Sequence, residues 1–189
     1  MKFLDSLLGR TKPAAANLDT LFRLPSAAVT LEAAAGMRSS GEAAVCFKPA
    51  AGEAFKSTAD EFAELLAFTA QQTGTTTHSS EDTYGYRWAV LADEDLDDLV
   101  AAAHVVNRTL EEKGFGPQLL CSVFGFTGTE GGCHLVYLYK RGTFYPFAPR
   151  DGERRDNELE LRVRGALDGE LPVEPDLSRW FPMWGLPLR

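Results

Sequence analysis

Residues 119–150, LLCSVFGFTGTEGGCHLVYLYKRGTFYPFAPR, constrain the fold more tightly than any other stretch. Leu119 to Thr127 is apolar, with β-branched and aromatic residues. Gly128, Gly131 and Gly132, with Thr129 and Glu130 between them, supply turn chemistry, so the stretch reads as a β-hairpin. Leu135 to Tyr139 is almost unbroken in apolar and aromatic character, which predicts a strand covered on both faces. Lys140-Arg141-Gly142 interrupts that run with two adjacent cations. Phe144, Tyr145 and Phe147 follow, punctuated by Pro146 and Pro149. The expectation is a strand that leaves the core and ends in cations and aromatic rings, a place for a contact surface.

The rest of the chain supplies the elements around this hairpin. Met1 to Arg10, MKFLDSLLGR, puts Phe3, Leu4, Leu7 and Leu8 on one helical stripe between Lys2 and Arg10. A segment of about ten residues holds no helix alone in water, so it must lie on its own domain, a partner or a membrane interface. Residues 1–16 form this segment and a linker. Asn17 caps a short helix to about Leu24, with Pro25 as its stop, and a second piece runs from Ala27 to Ala35 and ends at Gly36. Gly41 to Lys48 reads as a strand, and Pro49 to Ser57 as a loop or short hairpin return. A helix starts at Ser57 or Thr58 and fades by Gly74, with Phe62, Leu65, Leu66 and Phe68 on its apolar face. Thr75 to Asp82 is polar and reads as loose chain. Gly85 to Leu91 is a strand with Tyr86, Trp88 and Val90 on one face. From Asp93, Leu96, Leu99, Val100, Ala103, Val106 and Leu110 repeat at helical spacing up to Lys113 and Gly114. Arg154 to Leu167 fits a strand early and a helix late. Leu177 to Gly185 carries two tryptophans, and a tail so aromatic must dock on the domain or on a partner. The order predicts an α+β fold, one domain over residues 17–189, with a mostly antiparallel sheet and helices packed on it.

Charge and cysteine usage narrow the function classes. The formal net charge is −8, which opposes a general nucleic-acid binder. Charge is uneven, however. Lys140 to Arg164 holds seven cations against five acids. That is either a solvated helix face or a patch for an anion or acidic partner. Three cysteines, no apolar run of transmembrane length and no signal-peptide pattern lead to the expectation of a cytoplasmic protein, with peripheral membrane contact left open. With a turn at Thr129 and Glu130, Cys121 faces Leu138 and not Cys133, which argues against a disulfide within the hairpin.

No spacing in the chain specifies catalysis. His78, His104 and His134 are scattered, and neither CxxC nor HExxH occurs, so no metal site is expected. There is no GxSxG elbow and no glycine loop opening a helix, so no cofactor cradle is expected, and an enzyme using Cys121 or Cys133 is left as a third reading. The remaining candidates are Lys140, Arg141, Arg150, Arg154 and Arg155, whose side chains suit carboxylate or phosphate, with Phe144 and Tyr145 beside them. The alternative is a sheet edge protected by charge.

Several long strings carry a family resemblance: KFLDSLLGR at the start, NLDTLFRLPSAAVTLE from Asn17, GFGPQLLCSVF from Gly114, LVYLYKRGTFYPFAP from Leu135, ERRDNELEL from Glu153 and LSRWFPMWG from Leu177. Across nearly the whole chain the sequence resembles the PspA-associated protein PspAB family. The resemblance implies a non-enzymatic accessory or adaptor protein of the phage-shock membrane-stress response, acting by protein binding, without cofactor. It implies PspA or an HtpX-like membrane protease as partner. The opening segment is similar to the amphipathic start of PspA-type proteins, which adds the membrane to the candidate surfaces for Phe3, Leu4, Leu7 and Leu8. The element order also looks like the YbjN and type III secretion chaperone-like fold. The reading from another function class is a sensor of a small anionic ligand or lipid headgroup, held by Lys140, Arg141 and the neighbouring rings.

Overall fold

Near-continuous apolar runs along the central strands demand cover on both sheet faces, and the molecule provides a different cover for each. The computed structural model describes residues 18–48 and 54–188. The amphipathic segment with Phe3, Leu4, Leu7 and Leu8, the capping role of Asn17 and most of the loop after Pro49 lie outside the described residues.

A 3-10 turn over Leu18–Arg23 leads directly into α1 (Leu24–Ala35). Then come β1 (Arg38–Phe47), α2 (Ala54–Thr73), β2 (Thr76–Glu81), β3 (Arg87–Ala92) and α3 (Leu96–Glu112). The central hairpin is β4 (Leu119–Gly128) and β5 (Gly131–Leu138), followed by β6 (Thr143–Phe147). Two short pieces, β7 (Pro149–Arg150) and β8 (Arg154–Arg155), precede α4 (Asn157–Ala166). Strands β1 to β6 form one sheet in the order β2-β3-β1-β4-β5-β6, and every pairing is antiparallel. The fold is α+β and a single domain, as the patterning predicts. In the hairpin Cys121 pairs with Leu138 and Gly128 with Gly131, so Thr129 and Glu130 form the turn.

Helices cover one face of the sheet. Leu24 and Leu31 of α1, Phe62 and Leu65 of α2, Leu99 and Val106 of α3, and Leu159 and Val163 of α4 pack with Val45, Leu91, Phe124 and Leu135 from the strands. At about 25 cal/mol per Å² of apolar area, each fully buried side chain of this size contributes roughly 1.5–3 kcal/mol. The other face carries Ala44, Cys46, Trp88, Cys121, Val123 and Tyr145, and none of the four described α-helices contributes a hydrophobic residue to that cluster. The C-terminal segment covers it instead, with Trp180 buried and Met183, Trp184 and Leu186 packed alongside. The tail therefore docks on its own domain.

Three expectations need correction. Pro25 begins a helix and does not stop one, because it occupies the first turn of α1, where its missing N–H has no intrahelical partner to lose. Thr75–Asp82 is not loose chain: β2 pairs along its length with β3, and its polar sequence reflects a solvent-facing edge. The stretch after Lys140-Arg141 does not leave the core. It turns through Gly142, at φ +68°, and returns as β6 against β5. The outer edge of β6 is itself covered, since Phe144 N donates to Pro172 O (2.8 Å) and Glu174 N to Phe144 O (2.7 Å). Of the segment with mixed patterning, only Arg154–Arg155 is strand, and α4 starts behind Asp156, whose carboxylate accepts from Leu159 N at 3.0 Å.

Candidate functional site

The cations singled out by the sequence separate into two groups at opposite ends of β6. Lys140 and Arg141 sit in the β5–β6 turn, whereas Arg150, Arg154 and Arg155 follow the other end of the strand. Five strand residues, roughly 17 Å, lie between them.

Arg141 is committed within the chain. Its guanidinium grips the carboxylate of Glu174 with two N–H groups, and Thr143 Oγ1 donates to the same carboxylate at 3.0 Å. The Glu174 side chain is fully buried. Burial alone would raise its pKa, but the bonds from Arg141, the Asp176 amide and Thr143 outweigh that and hold it below the usual carboxylate range. This pair fixes the segment that closes the β6 edge. Lys140 is exposed and forms no ion pair among the described residues. The rings expected at a contact surface are interior: Phe144, Tyr145 and Phe147 are all buried. Phe144 joins the helix-covered core, while Tyr145 and Phe147 support the C-terminal segment, where Tyr145 OH donates to Phe181 O at 3.0 Å.

The second group does converge. Arg150, Asp151, Arg154 and Arg155 line an open hollow of about 330 Å³. The small β7–β8 pairing makes it, because it sets Arg150 directly opposite Arg154. Arg150 also binds the Asp156 carboxylate, which helps to hold that carboxyl below its ordinary pKa after the larger contribution of the Leu159 amide. Arg154 is the least engaged, with Nε on Asp151 O at 3.1 Å. Arg155 reaches inward. Its Nε donates to the nearly buried Glu160 at 2.9 Å, Nη1 donates to Trp180 O, and its guanidinium carbon lies 5.4 Å from the Phe147 ring centre. Arg155 Nη2 is buried with no hydrogen-bond partner among the described residues. An orphaned charged donor is costly to bury.

A second concavity was not legible in the sequence. A pocket of about 480 Å³ opens between the β2–β3 turn and the C-terminal segment. Trp88, Tyr86 and Trp184 form its walls, and Cys46 and Cys121 line it. Cys46 on β1 and Cys121 on β4 are direct cross-strand neighbours. Only the pairing of β1 with β4 places them together, and two strands so far apart in sequence announce no such pairing. Among the described residues no cluster of three or more His, Cys, Asp or Glu side chains is arranged to hold a metal ion. His104 packs against Phe22 with ring centres 4.9 Å apart, and His134 stacks near Phe147. Neither histidine contributes to the arginine hollow.

An open antiparallel sheet, helices on one face and a folded-back tail on the other define a small α+β protein. The chain belongs to the PspAB family: the family model described as PspA associated protein B matches residues 1–188. No curated protein and no solved structure gives a match. The family description associates its members with PspA, in keeping with an accessory role. No described helix is long and apolar enough to cross a membrane.

Proposed function

We propose that the protein is a non-enzymatic adaptor of a PspA-centred membrane-stress response, and that it binds an acidic segment of its partner in the Arg150–Arg154–Arg155 hollow. The observation that carries this reading is an open hollow lined by three arginines, Arg150, Arg154 and Arg155, and one acid, Asp151, on a chain of formal charge −8. A local cationic site on an acidic molecule selects partners by charge as well as by contact. PspA is the first partner in this reading, and an HtpX-like membrane protease the second. Lys140 extends the same charge at the far end of β6. Phe3, Leu4, Leu7 and Leu8 supply a second contact, on the partner or on the membrane beside it, from a protein that works at the cytoplasmic face. Arg141 is not part of the docking surface, since releasing it would unpair a buried glutamate.

The test is binding of purified PspA to the wild-type protein and to Arg154→Glu. Arg154 makes the fewest internal bonds of the three, so reversal there leaves the fold intact. The expected result is at least a tenfold loss of affinity, about 1.4 kcal/mol, at an unchanged melting temperature. Equal affinity for a folded Arg154→Glu protein removes the hollow from the interface. The hollow also has the size for a small anion, which favours a sensor of phosphate-bearing ligands or lipid headgroups as the second reading. Inorganic phosphate or a soluble headgroup at millimolar concentration would then raise the melting temperature of the wild type and leave Arg154→Glu unmoved.

A further inference from the structure

The pocket on the tail-covered face is separate from the arginine hollow and plays no part in the reading above. Its most distinctive feature is a pair of thiols. Cys46 and Cys121 are directly opposite each other in the antiparallel β1–β4 pairing, and both side chains belong to the face beneath the C-terminal segment. Residues opposite each other in such a pairing have Cα atoms about 4.5 or 5.5 Å apart, and a disulfide spans Cα separations of about 4.4–6.8 Å, so either kind of pair is within reach. The β1–β4 register shifts immediately beyond the pair, between Cys46 and Phe47, where the regular ladder is interrupted. Each cysteine is nearly buried, at 3% and 4% exposure, yet both line the 480 Å³ pocket, which gives a small molecule a path to them. The third thiol sits elsewhere. Cys133 lies on the helix-covered side, is 1% exposed, and does not line that pocket.

We propose that Cys46 and Cys121 form an oxidisable dithiol that closes to a disulfide when hydrogen peroxide enters the pocket. One sulfur attacks the peroxide O–O bond, an S–O bond forms, and the leaving oxygen departs as water. The second sulfur then attacks the sulfenic sulfur, the S–S bond forms, the S–O bond breaks, and the hydroxyl takes a proton and leaves as a second water. Two thiols lose two electrons, and the peroxide gains them. At rest the neighbouring Cys121, together with burial, holds the Cys46 thiol well above its ordinary pKa. Cys46 is therefore protonated at rest and slow to react, and the pocket restricts access to oxidants of small size. Closure ties β1 to β4 beneath Trp88 and Trp184, whose emission reports it.

The experiment treats the folded full-length protein with hydrogen peroxide, quenches it, and unfolds it in an alkylating agent for intact mass and peptide mapping. The expected product has lost two hydrogens, carries a Cys46–Cys121 linked peptide, alkylates only at Cys133, and shows a tryptophan emission change that a dithiol reductant reverses. Cys133→Ser retains all of this. Cys46→Ser loses the bridge and instead yields a sulfenic acid at Cys121 that dimedone traps. Full alkylation of all three cysteines after a peroxide dose that oxidises the unfolded chain would overturn the proposal. So would oxygen addition at one cysteine of the wild type without a bridge, or a bridge joining two chains. The wild type and Cys133→Ser are enough to decide the matter, whether or not Cys46→Ser folds.

Discussion

At the residue scale, the sequence identified the cations but not their partners, because a charge run says nothing about which acids the fold will bring to it. Arg141 and Arg155 each hold a buried glutamate, Glu174 and Glu160. Arg154 is left comparatively free. Breaking a buried pair by removing one member strands the other, so Glu160→Gln should lower unfolding free energy by about 3 kcal/mol in urea titration, more than any single change at Lys140. Burial, only partly offset by Glu42, lowers the His134 pKa from 6.5 to about 4. The unfolded chain therefore takes up this proton below about pH 6.5, whereas the folded chain resists until about pH 4. Stability from His134 is complete above pH 6.5 and is lost as the pH falls to 4, a change of at most about 3 kcal/mol. Unfolding free energy measured from pH 7.5 to 4 should show this slope, and His134→Gln should flatten it. The carboxylates act in a lower window. Asp176, held at about 2 by Ser178 and then Arg179, together with Asp156 and Glu174, contributes stability above the unfolded carboxylate pKa that is lost as pH falls further.

At the element scale, strongly periodic segments were legible and weakly patterned ones were not. Helix α3 was readable from its apolar repeat, its acidic first turn and its glycine stop. Asp95 is its cap, with the carboxylate accepting from Asp97 N at 2.8 Å, and Asp95→Ala should cost about 1 kcal/mol in the same titration. The hairpin of β4 and β5 was readable with its turn at Thr129 and Glu130, although the second strand starts at Gly131, ahead of the apolar run from Leu135. Gly128 has a further reason to be glycine: a Cβ there would lie 2.9 Å from Gly36 O, so backbone would have to move. Strand β2 was not legible because an edge strand facing water carries Thr, Ser and His where a core strand carries Val and Leu, and its pairing to β3 depends on the partner. Strand β6 was not legible because Pro146 reads as a break. A proline is tolerated there because its residue faces Leu135 in the ladder while the edge bonding is taken by the Phe144 neighbourhood and Pro172–Glu174. The same apparent break made interior rings look like a contact surface.

At the scale of the whole molecule, the decisive arrangement is the division of labour between the two sheet faces, helices on one and the C-terminal segment on the other. The tail's aromatics were legible as something that must dock, but the face they dock on was not, since strand order is set by long-range pairing. Deleting residues from Leu177 onward should uncover Tyr145, Val123 and the cysteine pair, and light scattering should then report self-association at concentrations where the full chain stays monodisperse. The arginine hollow depends on the same arrangement, because Arg155 is anchored to Trp180 O and Glu160 together. Binding to PspA or to a protease partner is the activity on which the functional reading rests. A crosslinked pull-down from native cells, with full-length protein and with a chain starting at Pro13, tests it most directly. The predicted result is recovery of PspA or the membrane protease with the full-length chain, and reduced recovery without Phe3, Leu4, Leu7 and Leu8. Recovery of neither protein by either chain would contradict it.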